Sequence, residues 1–184
     1  MRVFLGITGA SGAAYAVRLL EEMRDLGAEA HVAITRWGNH VLEAEGFSLD
    51  EIKGLATEVY EADDIARGPA SGTAGFSAFG VVPCSVSTLG KIASGIGDNL
   101  VTRAAQVALK ERRPLVLLIR ETPLSPVIIE AMLKVSLGGA TVMPACPGFY
   151  HNPESITELV DFVVKRVLFA LGFPVDIREL WEGE

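Results

Sequence analysis

Leu115–Ile119 is an unbroken run of five apolar residues with a proline on either side, at positions 114 and 123. A short, bounded run of this kind predicts a strand buried on both faces, as in a parallel sheet. The polarity changes in one step to Arg120, Glu121 and Thr122. Arg2–Ile7, Ala28–Ile34, Phe79–Val82 and Ala140–Met143 read as further strands. Between them the apolar period lengthens to that of helices. Gly12–Leu26 places Tyr15, Leu19, Met23 and Leu26 on one side. A helix from Thr35, its N-cap, runs to about Glu45, and Ser48–Glu51 matches a capping box. Glu61–Ser77 reads as mostly loop. Ser85–Ser94 is a short helix, and Asp98 is expected to cap the next, Asn99–Arg112. Ser125-Pro126 opens a helix to about Ser136. Pro153–Leu171 carries an apolar stripe from Ile156 to Leu171, with a second capping box over Ser155–Glu158.

Strands alternating with helices predict an α/β fold: a single-domain doubly wound parallel sheet of five strands, flavodoxin-like or Rossmann-type, over residues 1–184. An acidic tail from about 173 to 184 follows the last helix. The sequence leaves the strand order open. In such sheets the ligand crevice lies at the carboxyl ends of the strands. Here those ends carry Thr8–Ser11, Thr35, Pro83–Thr88, Arg120–Thr122 and Pro144–Tyr150. Small, hydroxylated residues at helix N-termini offer N–H groups to a phosphate, so a nucleotide or flavin is the expected ligand. The loop TGASGA is neither the spaced dinucleotide fingerprint nor a Walker loop.

Composition narrows the field. A chain of 184 residues that is 49% hydrophobic can bury a good core. A net charge of −7 and a sequence pI of about 5.0 argue against a nucleic-acid binder. No apolar run reaches the roughly 18 residues of a membrane span. Cys84 and Cys146 lack metal-type spacing, and His31, His40 and His151 are scattered, so no metal is expected. A reduced, cytoplasmic setting follows. In an acidic protein the cations Arg103, Lys110, Arg112, Arg113 and Arg120 mark where an anion would go. Arg166 lies within the apolar stretch Val163–Leu168, where a cation extends to solvent or meets an anion.

The segments ITGASGAAYAVRLL, VVPCSVSTLGKIASGIGDNLVTRAAQVALKERRPLVLLIRETPLS and PACPGFYHNPESITELVDFVVKRVL resemble the UbiX-type flavin prenyltransferases, almost end to end. The resemblance implies a metal-independent transfer of a dimethylallyl group from dimethylallyl monophosphate to reduced FMN, which makes the cofactor of UbiD-type decarboxylases. It also implies a homo-dodecamer with sites between subunits. Matched by position, Gly9, Ala10, Ser11, Thr35, Ser85, Val86, Ser87 and Thr88 line the FMN site. Arg120 is a flavin-binding arginine, and Arg103 and Glu45 are further site residues. Glu121 is the acid–base glutamate, and Glu45, Ser11 and Lys110 join it in the catalytic set. Lys110, Arg120, Tyr150 and Arg166 would hold the prenyl phosphate, and Trp181 would close the site. The run Val127–Met132 departs from the family's usual Ile-His-Leu-Glu-Asn-Met, and Ala74–Gly80 lacks the usual Met. These differences bear on prenyl-chain packing and substrate preference more than on FMN.

Two other functions compete. One is an FMN-dependent cysteine decarboxylase of the same fold, with His40 as its weak catalytic candidate and Pro69–Thr73 as a partial match to its Pro-Ala-Ser-Ala-Asn-Thr segment. The other is a non-catalytic flavin carrier. A final expectation concerns geometry. Tyr150 and Arg166 are 16 positions apart, and Pro153 to Arg166 spans roughly 20 Å of helix. Contact between the two is therefore expected across a subunit boundary.

Overall fold

The computed structural model describes residues 1–178. Six parallel strands form one sheet: β1 (Arg2–Ile7), β2 (Glu29–Ile34), β3 (Glu58–Glu61), β4 (Ala78–Cys84), β5 (Leu115–Ile119) and β6 (Thr141–Pro144). Their order is β3-β2-β1-β4-β5-β6. This is the Rossmann order, with the switch point between β1 and β4. The doubly wound expectation holds, with one strand more than the sequence indicated. β3 lies between the Ser48–Glu51 capping box and the loop, where the sequence assigned no element, and it ends at Glu61, the first residue assigned to loop.

Period-2 alternation in the strands feeds two cores. Val3, Leu5, Ile7, Val116 and Leu118 face α1 (Ala13–Asp25) and α7 (Ile156–Ala170). Phe4, Leu115, Leu117 and Ile119 face α4 (Val86–Ala93), α5 (Leu100–Lys110) and α6 (Pro126–Leu137). α2 (Arg36–Ala44) and α3 (Leu49–Leu55) connect β2 to β3. All five residues of β5 are buried, as a strand covered on both faces requires. Gly6 sits under α5, and a side chain there would run into Val101. The missing side chain lets α5 lie close to the sheet.

Helix caps follow the sequence with two exceptions. Thr35, Ser48, Ser85 and Ser125 cap as expected. α5, however, is capped by Asn99, whose side chain accepts from Thr102 N–H at 2.9 Å. Asp98 instead pairs with Lys91 Nζ at 2.6 Å. At α7, Ser155 caps as expected, but Glu158 accepts from the Glu154 N–H at 2.8 Å, one residue outside the box. The stripe ends were also misjudged: Leu26, the C-cap of α1, is 42% exposed, and Ile156, the first residue of α7, is 80% exposed.

Candidate active site

The carboxyl edge is stitched together at the switch point by Thr8, which the sequence places at the end of β1 without giving it a task of its own. Its buried hydroxyl donates to Pro83 O at 2.8 Å and accepts from Ser85 N–H at 2.8 Å. This bond fixes the first turn of α4 beside the loop Gly9–Gly12. A hydroxyl ending an apolar strand beside a glycine was the available signal. Thr35 N–H donates to Ile7 O at 3.0 Å, so the start of α2 is tied to the same place. Gly9 faces Trp37, whose Cβ would lie 2.5 Å from any Cβ at position 9. Arg120 N–H reaches Cys84 O at 3.4 Å, which aligns the ends of β4 and β5. Gly9, Ala10, Ser11, Thr35, Ser85, Val86, Ser87, Thr88, Arg120 and Glu121 therefore lie along one edge, where the strand ends were expected to put them.

The helix N-termini at this edge differ in state. At α1, the Glu45 carboxylate already accepts from Gly12 N–H at 3.0 Å and Ala13 N–H at 2.7 Å. A carboxylate on the positive end of a helix is favourable, and it fills the place where dinucleotide folds hold pyrophosphate. At α4, Ser85 caps Thr88, while Val86 and Ser87 lie in the first turn, whose N–H groups have no partner within the helix. Arg120 is half-buried, and its Nε has no hydrogen-bond partner among the described residues. A buried unpaired guanidinium N–H is costly unless an acceptor arrives. An open helix N-terminus and this arginine together suit the phosphate and polar ring edge of a flavin mononucleotide. Glu121 is exposed and accepts from its neighbour Thr122 N–H at 3.0 Å. Arg103, on the second turn of α5, has no ion-pair partner among the described residues.

A second recess of about 460 Å³ lies between β6 and α7. Tyr150 and Arg166 both line it, with Met143, Cys146, Phe162 and Val163 among the other walls. This corrects the expectation that the two meet only across a subunit boundary. α7 folds back along the sheet beside the edge strand, so the length of helix between them runs parallel to the recess. Arg166 is exposed and has no ion-pair partner among the described residues. His151 stacks on Phe162 at 5.3 Å between ring centres, and so is packed rather than a plain surface residue. Burial pushes the Tyr15 phenol up from its usual value, with Cys146 adding to the shift. Cys84 is fully buried as a small apolar residue, and burial raises its thiol strongly.

Lys110 is the residue that the fold does not bring here. It ends α5, with four residues between it and the start of β5, and so lies at the amino edge. There it pairs with Glu111. Trp181 lies outside the described residues. His40 is exposed on α2 with its ring edge-on to Trp37, and Pro69–Thr73 lies at the amino edge, so the cysteine-decarboxylase candidates are not assembled. Among the described residues no cluster of His, Cys, Asp and Glu is arranged for a metal, and no helix is long and apolar enough to cross a membrane.

A Rossmann-order sheet with a phosphate-ready helix, an unsatisfied arginine and small-residue loops at its switch point defines a nucleotide-binding α/β protein of the flavin-binding kind. The Flavoprotein family model matches residues 1–168. The chain is 45% identical over 184 residues to the flavin prenyltransferase UbiX of Deinococcus radiodurans, covering 100% of this chain and 94% of that protein. Its fold superposes on AnUbiX, solved in complex with FMN and dimethylallyl pyrophosphate, with a TM-score of 0.94 and 36% identity over 100% of this chain and 98% of that one. A dodecameric FMN-dependent UbiX-like decarboxylase from Escherichia coli O157:H7 gives 0.92 and 38%, with 100% of both chains covered. The chain belongs to the UbiX family of flavin prenyltransferases, within the flavoproteins.

Proposed function

We propose that this protein transfers a dimethylallyl group from dimethylallyl monophosphate to reduced FMN, and that the prenylated flavin passes to a UbiD-type decarboxylase in the cytoplasm. The supporting observation is that one chain carries two separate anion-receptive places. One is the α4 N-terminus with Arg120, and the other is the Tyr150–Arg166 recess. A flavin carrier has use for only the first.

Gly9–Gly12, Thr35, Ser85–Thr88, Arg103 and Arg120 would hold FMN. Glu45 already neutralises the α1 N-terminus, which leaves the α4 N-terminus for the phosphate. Reduced FMN, when bound, supplies the nucleophilic ring atoms that accept the prenyl group. The chain's own task is to let an allylic phosphate leave. Arg166 and Tyr150 receive the growing negative charge, and removing one such preorganised donor typically costs about 3–4 kcal/mol of barrier. Met143, Phe162 and Val163 give the prenyl chain an apolar wall and keep water from the allylic carbon. Glu121, at the end of β5 and beside Arg120, is placed to give a proton to the departing phosphate or to take one from the ring. Ser11 is exposed at the loop tip, next to where Glu45 caps α1.

Lys110 completes the phosphate site only if it comes from another copy. A homo-oligomer, a dodecamer in this reading, supplies that copy. α6 supports assembly: only Val135 is buried along it, while Val127 is 75% and Leu137 80% exposed. A helix apolar on every side requires cover. The test is anaerobic incubation with reduced FMN and dimethylallyl monophosphate, then mass spectrometry of the bound flavin. The expected result is a mass gain of one prenyl unit. Unmodified FMN after full reduction would overturn the reading.

A further inference from the structure

α5 ends in the run Lys110-Glu111-Arg112-Arg113 at the amino edge. The Arg113 guanidinium is committed to backbone, donating to Gly72 O at 2.8 Å and Phe76 O at 2.7 Å. It fixes the segment that precedes β4. Lys110 is held differently. Among the described residues its ammonium pairs with the Glu111 carboxylate alone, and the two side chains are 50% and 36% exposed. The same carboxylate lies over Gly72, in space that a side chain at position 72 would occupy. Glycine therefore admits the carboxylate to the Pro69–Thr73 surface, and the carboxylate carries Lys110 there with it.

We propose that Glu111 is a resident counter-ion for Lys110: it positions the ammonium over Gly72 and releases it to the prenyl phosphate of a neighbouring subunit's site. The inference rests on the reading that places Lys110 at that phosphate. A lysine on four rotatable carbons would otherwise sample many positions. An exposed carboxylate–ammonium pair is weak in water, so exchanging it for a doubly charged phosphate is downhill. The carboxyl end of α5 is itself a favourable place for a cation. The hydrogen bond and charge of Lys110 hold the Glu111 carboxyl below its usual range, so it competes as an anion at neutral pH. Glu111 thus sets how much anion the site needs before Lys110 is free.

The test uses the FMN-loaded oligomer and three variants: Glu111→Gln, Lys110→Met and the double substitution. KM for dimethylallyl monophosphate and inhibition by inorganic phosphate are measured, together with kcat and the Kd for FMN. Glu111→Gln should lower both KM and the phosphate inhibition constant by about two- to fivefold, the range of an exposed ion pair. kcat and FMN binding should be unchanged. Lys110→Met should raise both constants, and in that background Glu111→Gln should do nothing. If Lys110→Met raises them while Glu111→Gln leaves them alone or raises them too, the counter-ion role is wrong and the placement of Lys110 stands. If Glu111→Gln acts equally with Lys110 absent, the effect is one of general charge, and the proposal fails. If Lys110→Met changes neither constant, Lys110 is not at the phosphate, and both the placement and the proposal fall.

Discussion

Arg120 and Glu121 are adjacent, yet they sit in different surroundings. Among the described residues, Arg120 is half-buried with an unanswered N–H, and Glu121 is exposed and accepts from its neighbour's N–H alone. The first setting suits binding and the second suits proton transfer. The sequence revealed their place because five apolar residues and a proline define where β5 ends. It could not reveal the task of Glu45, which caps a helix that begins 32 positions earlier in the chain. Glu121→Gln is nearly isosteric. FMN should bind with the same Kd, while formation of prenylated flavin slows by ~10²-fold or more, the usual size of a lost acid–base group. Unchanged turnover would move proton transfer elsewhere, although Glu45 is already tied to Gly12 and Ala13.

β3 is the element that pattern reading missed. Glu58-Val-Tyr-Glu61 has only two apolar residues, too few for a periodic signal, and its support is tertiary. Tyr60 OH donates to Glu58 at 2.8 Å and meets His31 Nδ1 at 2.7 Å, while Arg2 Nε donates to His31 Nε2 at 3.0 Å. Because Nε2 accepts from Arg2, the ring is neutral with its proton on Nδ1. The chain β3–β2–β1 is thus joined at its amino end by a buried imidazole that cannot take a second proton without losing the Arg2 bond. Burial lowers its pKa from the usual value near 6.5, the Arg2 charge lowers it further, and Glu58 and Glu29 only partly oppose this. Below about pH 6.5 the unfolded chain binds a proton that the folded one refuses. Stability is therefore complete above that pH and falls as pH drops toward the folded pKa, by at most about 1.4 kcal/mol per pH unit for one proton. Urea midpoints from pH 7.5 to 5.5 should show this decline, and His31→Gln should be less stable overall but flatter across the window. A parent protein with no decline would mean that His31 titrates normally.

At the scale of the whole molecule, the two edges of the sheet carry different parts of one proposed site. Tyr150 and Arg166 share a recess in a single chain, whereas Lys110 is on the far side. Sequence spacing misled on the first pair because the number of helical residues gives a length and no direction. α7 packs against α1 and returns along the sheet, and only the packed core fixes that course. The placement predicts which defects complement. When assembled Arg166→Ala and Lys110→Met proteins are mixed with verified subunit exchange, a site drawing Lys110 from one chain and Arg166 from another is intact in about a quarter of random pairings. Activity should recover toward that fraction of the parent value. Arg166→Ala mixed with Tyr150→Phe should recover nothing, since no exchange can place two good residues in one recess. Recovery in the second mixture would return Tyr150 and Arg166 to different chains. No recovery in the first, with exchange verified, would remove Lys110 from the site or confine the site to one chain, which the opposite-edge geometry does not allow without refolding α5.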